Sequence, residues 1–297
     1  MSAVYKSLSK PAGAKAEHAS EGSSKNRQRV LILTSRGVTY RHRHLLNDLH
    51  ALLPHSRKDS KLDTKTKLHQ LNELADLYNC NNVLFLEARK GRDLYAWVAK
   101  PPNGPTAKLH LQNLHTMDEL HFPGNCLRGS RPVLSFDAAF DAVPHTRLLK
   151  ELLLHVFAVP RAARKSKPFV DHVMAFALAD GRVWVRCYQI GETEDGASKG
   201  AAPRDTDISL VEIGPRFVLT PIVILEGSFG GPVIYENKEF VSPNQVRAEL
   251  RRRRAGGFAR RSEREKEGEV KRAELGLKTQ GARKKRRDAL DEKVLFA

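Results

Sequence analysis

The apolar positions of this chain fall into two rhythms. Val30 to Thr34 reads VLILT, a continuous apolar run of strand length. The polar turn SRGVTYRHRH leads from it into LLNDLHALLP, where Leu45, Leu46 and Leu49 recur at helical spacing. Leu62, Leu68, Leu71, Leu74, Ala75 and Tyr78 resume that spacing and predict the apolar stripe of a second helix. From Asn81 to Lys100 the pattern becomes strand, Gly-Arg turn, strand, the signature of a β-hairpin. In its second strand Tyr95 and Trp97 alternate with Leu94, Ala96 and Val98, giving one aromatic and one aliphatic face.

The same order returns later in the chain. Val30 and Leu31 align without a gap on Val133 and Leu134, His42 on His145, Leu45 and Leu46 on Leu148 and Leu149, and Leu49 on Leu152. DHVMAFALADGRVWVRCYQI (Asp171 to Ile190) repeats the hairpin, with Trp184 and Tyr188 on its aromatic face. A further strand follows each hairpin, AKLHLQNL near Leu109 and DISLVEI near Leu210, the second delayed by the insertion GETEDGASKGAAPRD. The chain therefore predicts an α/β (α+β) fold of two homologous half-domains, about 29–122 and 131–226.

Both ends depart from these rhythms. Residues 1–28 are rich in Ser, Ala, Gly and Lys without a period and predict a disordered extension. Residues 29–237 form the folded core, and 238–297 a basic, partly helical tail.

Charge then narrows the function. Among 297 residues, 51 Lys and Arg face 34 Asp and Glu, and the surplus of +17 suits a polyanion, because each phosphate neutralised releases counterions. No apolar run reaches the roughly 18 to 20 residues of a membrane span, and the N-terminus has no secretory h-region, so a soluble intracellular protein with no membrane partner is expected. Cys80, Cys126 and Cys187 lie far apart and in no C-x-x-C arrangement, which predicts reduced thiols without a metal.

The basic residues concentrate where a helix begins. Arg36, Arg41, Arg43 and His44 crowd the first strand-to-helix turn, and a helix N-terminus with its free N–H groups suits a phosphate. The equivalent turn of the second half, FDAAFDAVPHT, carries Asp137 and Asp141 instead. Against the phosphate reading stands a solvated helix face, or pairing with Asp48 and Glu87. Lys58, Lys61, Lys65 and Lys67 extend the basic stripe or form a solvated face. Tyr95, Trp97, Trp184 and Tyr188 either stack bases or pack against a helix or partner chain, and packing is the reading favoured here, since such residues enrich interface cores.

Catalysis finds little support. There is no H-E-x-x-H and no P-loop, and Ser228 in LEGSFGG lacks the first glycine of a nucleophile elbow. No enzyme activity, metal or other cofactor is expected. The tail clusters Arg251, Arg252, Arg253, Arg254 and Arg283 to Arg287 read as nuclear-import or nucleic-acid patches.

Three stretches carry a family resemblance: GNCLRGSRPVLSFD (Gly124 to Asp137), PFVDHV (Pro168 to Val173) and VEIGPRFVLTPIVILEGSFGGPVIYEN (Val211 to Asn237). With the opening RVLILTSRGVTYRHRHLLNDLHALLPHSRKDSKLDTK they resemble the Brix-domain family over about Arg29 to Asn237, closest to its founding branch, a factor of large (60S) ribosomal subunit biogenesis. The resemblance implies two halves, each like the anticodon-binding domain of class II aminoacyl-tRNA synthetases. It also implies a nucleolar, non-catalytic scaffold that binds precursor rRNA. The expected partners are a dedicated EBNA1-binding-protein-like factor, other pre-60S assembly factors and ribosomal proteins. Arg128 and Arg131, with Arg216 of the family's Gly214-Pro215-Arg216-Phe217 signature, join the RNA-binding candidates, and Phe217 joins the partner-binding ones. An alternative function is a protein-interaction adaptor within pre-ribosomes with little RNA affinity.

Overall fold

The computed structural model describes residues 28–63, 67–160, 163, 165–193 and 207–276. They divide into a body ending at Lys238 and a separate unit from Glu239. In the body, the first half runs β1 (Val30–Thr34), α1 (Tyr40–Leu52), β2 (Ser56–Lys58), α2 (Gln70–Leu77), β3 (Asn82–Arg89), β4 (Asp93–Ala99), β5 (Thr106–His115) and the short α3 (Met117–Leu120). The second half runs β6 (Pro132–Phe136), a 3-10 turn (Ala138–Asp141), α4 (Pro144–Phe157), β7 (His172–Ala179), β8 (Arg182–Thr193), β9 (Asp207–Glu212), β10 (Arg216–Leu225) and β11 (Val233–Glu236).

All the strands join one mixed sheet in the order β2-β1-β3-β4-β5-β10-β8-β7-β6, with β9 on β8 and β11 on β10. The parallel pairs β1/β3 and β6/β7 each need a helical crossover, which α1 and α4 supply with Thr39 and Pro144 at their starts. The two halves meet along the antiparallel pair β5/β10. The strand equivalent to β5 is therefore β10; the DISLVEI segment expected in that role is β9, an extra strand on the far part of β8. The first strands also correspond one residue away from the ungapped match. Val30 pairs with Asn82 and Pro132 with His172, so Val30 is equivalent to Pro132 and Leu31 to Val133. A single step swaps faces, which is why register is decided by packing.

One face of the sheet carries α1 and α4. Leu45, Leu49, Leu149, Leu153 and Val156 pack there on Leu109, Phe176 and Phe217 in a core shared by both halves. On the opposite face of the first half, α2 lays Leu71 and Ala75 over Leu31, Leu33, Phe85 and Trp97. Covered on both sides, β1 is buried along its whole length, whereas β6 alternates between half-buried and exposed. The expected second helix is shorter than its apolar stripe: Leu62 lies in a bridge beside Ser35, and its N–H donates to the Thr34 carbonyl at 2.8 Å.

The loop after β10 reaches back to seal this second core. Phe229 inserts beside Trp97, its N–H donates to Thr106 Oγ1 at 2.9 Å, and Ser228 Oγ donates to Asn72 Oδ1 of α2 at 2.6 Å. Gly104 lets the loop come close, since a Cβ there would stand 2.2 Å from the Glu226 carbonyl oxygen.

The second unit contains α5 (Pro243–Glu274), started by Ser242, whose hydroxyl accepts from the Gln245 N–H. Its 32 residues span about 48 Å, and none of them is buried. The N-terminal extension up to residue 27, the insertion at 194–206, and the tail from 277 with Arg283 to Arg287 lie outside the described residues.

Candidate nucleic-acid interface

The basic turn expected to hold phosphate does form the entry to α1, but its charges already have partners. Arg36 Nε sits 2.7 Å from Asp63, Arg41 grips Glu119 through two guanidinium nitrogens, and His44 Nδ1 is 3.0 Å from Asp118. The helix N-terminus is capped by Thr39 Oγ1, which accepts from the His42 N–H at 3.4 Å. Asp63, Asp118 and Glu119 supply the pairing rather than Asp48 and Glu87. Asp48 instead accepts from the Met117 N–H at 3.0 Å. Arg43 alone of the four is in no ion pair among the described residues, and its guanidinium lies 5.8 Å from the centre of the exposed Tyr40 ring. Exposed pairs of this kind contribute at most about 1 kcal/mol each, so a phosphate can displace the carboxylates.

In the second half the acids do structural work. Asp137 caps the 3-10 turn by accepting from the Ala139 N–H, and Asp141 holds Lys150 at 2.8 Å.

The remaining basic candidates scatter. Lys58 is exposed on β2 and donates to Asn47 Oδ1 at 2.7 Å; Lys61 and Lys67 are exposed, and Lys65 lies outside the described residues. Arg216 faces Glu212 at 3.6 Å with its guanidinium over Phe122. Gly214, two residues earlier, has φ +75°, and a Cβ there would fall 2.4 Å from the Phe122 ring. Arg131 is half-buried, and its Nε has no hydrogen-bond partner. Arg128 is exposed in the linker between the halves. Arg251, Arg252, Arg253 and Arg254 are exposed on α5.

The aromatic candidates divide by burial. Tyr95 (4% exposed), Trp97 (8%) and Phe217 (4%) are buried by the chain itself and offer no surface to a partner, which corrects the expectation for all three. Trp97 Nε1 donates to Glu87 Oε2 at 2.9 Å, and its ring lies between Phe229 and the Lys108 ammonium. Phe217 belongs to the core under α1 and α4 because β10 is central in the sheet. Burial raises the Glu87 carboxyl, but the Trp97 and Arg89 hydrogen bonds and the charges of Arg89 and Lys108 outweigh it and hold the group below its usual range.

Trp184 and Tyr188, by contrast, are only half-buried. Cross-strand pairing puts them on one face with Val173, Ala175, Ala177 and Arg186, the face that α2 covers in the first half. No described element covers it here. A hollow of about 280 Å³ lies among Ala175, Ala177, Trp184, Arg186 and Tyr188. Trp184 Nε1, Thr220 Oγ1, Glu212 Oε1 and His115 Nδ1, all on this side of the sheet, are buried without hydrogen-bond partners. Sequence reasoning marked Trp184 and Tyr188 but missed that, among the described residues, this half has no counterpart of α2. The absence of an apolar stripe between α4 and β7 was the available signal.

Among the described residues no cluster of His, Cys, Asp and Glu could hold a metal ion, and no helix is long and apolar enough to cross a membrane.

Known proteins share this chain's pattern. The Brix domain model matches residues 35–223. "Ribosome biogenesis protein BRX1" of Saccharomyces cerevisiae is 58% identical over 284 residues, covering 92% of this chain and 95% of that protein. Its Schizosaccharomyces pombe namesake is 57% identical, covering 82% of this chain and 81% of its own. The human "Ribosome biogenesis protein BRX1 homolog" is 51% identical, covering 78% of this chain and 62% of its own length. A probable ribosomal biogenesis protein from Aeropyrum pernix, solved by crystallography, aligns over 71% of this chain and 99% of its own, with 16% identity and a TM-score of 0.43. On the extent of the domain match and the identity to the two yeast proteins and the human one, the chain belongs to the Brix-domain family.

Proposed function

We propose that the chain is a non-catalytic nucleolar scaffold of large-subunit assembly. It holds precursor rRNA on basic surfaces of the body and on α5, and seats one dedicated protein partner on the open face of the second half. The family's tie to ribosome biogenesis supports the setting. The carrying observation is the asymmetry between halves: α2 and Phe229 roof the sheet in one, while Trp184 and Tyr188 lie open in the other. A partner helix laid where α2 lies in the first half would bury the aliphatic residues and offer an acceptor to Trp184 Nε1. Its carboxylates would meet Arg186 and Arg216. An EBNA1-binding-protein-like factor is the partner that the family resemblance suggests. The likeness of each half to anticodon-binding domains belongs to the same reading, supported by the shared order of parallel crossover and hairpin.

Changing Trp184 and Tyr188 to Ala tests the partner site. Truncating buried aromatic anchors costs about 2 kcal/mol or more, roughly thirtyfold in affinity. The double variant should lose the partner while its melting temperature and RNA affinity stay near wild type. Unchanged partner affinity would refute the assignment.

The adaptor reading has one observation in its favour, the carboxylates that already pair Arg36, Arg41 and His44. RNA affinity of the full chain measured against salt decides between the two, since an adaptor would bind weakly at every concentration.

A further inference from the structure

The paired cations of the basic turn draw attention to cations that the fold leaves unpaired. Three segments far apart in sequence converge on a recess of about 110 Å³: the end of α1 with His50, Leu53 and Pro54, the linker with Arg128 and Gly129, and Lys165. By the measure in which a water needs about 10 to 15 Å³, this is room for a tetrahedral oxyanion. Arg128 and Lys165 are exposed, and neither forms an ion pair among the described residues. Among the described residues, the charged groups that act on His50 are the cations Lys165, Lys58 and Arg128.

The backbone holds these charges together. Gly129 has φ +89°, and a Cβ there would stand 2.9 Å from the Lys165 carbonyl oxygen, so glycine is needed for the linker to come this close. The Lys167 N–H then donates to the Gly129 carbonyl at 2.8 Å. Elsewhere in the body Arg36, Arg41, Arg89 and Lys150 each have a carboxylate. The C-terminal end of α1 favours cations, but a helix end carries only about half an elementary charge. Arg128 and Lys165 bring two full positive charges, about four times that, so the recess keeps a positive surplus that an external anion can balance.

We propose that this recess is a phosphate site, filled by one phosphodiester of the RNA backbone, with Arg128 and Lys165 as the charged donors and His50 at its floor. The RNA source rests on the function proposed above; the phosphate chemistry does not.

The test is the full chain with Arg128→Ala and Lys165→Ala, titrated with single-stranded RNA over a range of salt. Losing one phosphate contact should make the slope of log affinity against log salt shallower by about 0.7, so a fourfold rise in salt weakens the variant ~2.5-fold less than wild type. The loss should be alike for all RNA sequences, and melting temperature should stay level or rise as like charges are removed. In parallel, the His50 imidazole resonances of the wild type are followed while RNA, then inorganic phosphate, is added. A variant that keeps the wild-type salt slope overturns the proposal, and one that melts early while binding RNA normally assigns the pair to folding instead. If the wild type itself shows no salt-dependent RNA binding, the RNA function fails. The recess is then judged by His50: resonances moved by inorganic phosphate uphold a phosphate site, and resonances that stay put overturn it.

Discussion

His55 gives the sharpest stability prediction, because it is a histidine that the fold keeps from charging. It follows α1 in the first half, is 6% exposed, and its Nε2 lies 3.1 Å from the Val156 carbonyl of α4 in the second half. A carbonyl only accepts, so Nε2 carries the proton and donates, while Nδ1 is buried without a partner. Burial lowers its pKa from 6.5 to about 4, with the Val156 bond opposing the shift. Between those values the unfolded chain binds a proton that the folded chain does not. Stability from this group is therefore full above pH 6.5 and is lost as pH falls toward 4. At one proton, the slope is about 1.4 kcal/mol per pH unit, and by pH 5 the loss is about 2 kcal/mol. His55→Gln keeps a donor of similar reach and cannot titrate. Urea unfolding at pH 7.5, 6, 5 and 4.5 should show a shallower decline for the variant, its deficit relative to wild type shrinking by about 2 kcal/mol at pH 5. The other buried histidines contribute to both proteins and cancel in the difference. Parallel declines would show that His55 does not titrate as its burial requires.

Three further outcomes follow from the same contacts. Phe229→Ala should cost about 3 to 5 kcal/mol by emptying the space beside Trp97, seen as a lower urea midpoint with RNA binding retained in the folded fraction. Gly214→Ala should destabilise by more than 1 kcal/mol in the same assay, because a side chain at φ +75° would also strike Phe122. Replacing Arg36, Arg41 and Arg43 together with Ala should leave stability within about 1 to 2 kcal/mol, since these are exposed side chains. If the turn also contacts RNA, the salt slope should become shallower, whereas an unchanged slope would mark its ion pairs as structural.

The sequence alone determined whatever depends on local period and on self-similarity. VLILT and the leucines after it have the rhythm of strand and helix, and the Gly-Arg turns divide two hairpins, because side-chain periodicity is a backbone property that each segment carries with it. The repeated order of strand, helix and hairpin was legible for the same reason. What depends on which surfaces meet was not. Strand periodicity cannot say whether β9 or β10 joins β5, nor can an ungapped match place β1 and β6 in register, since a one-residue step costs nothing until one face must be buried. The same limit explains the aromatic residues. Tyr95 and Trp184 occupy equivalent places on equivalent strands, yet Tyr95 is enclosed beside Arg89, Lys108 and His110 while Trp184 is left half-buried, and on the same face α2 makes Trp97 a core residue. Charge behaved likewise. The composition set the surplus of positive residues, but Asp63, Asp118 and Glu119 are brought to the basic turn, and Arg128 to Lys165, by tertiary contacts between distant segments. Electrostatic energy depends on distance in space, and folding decides which charges end up paired and which are left over for a ligand.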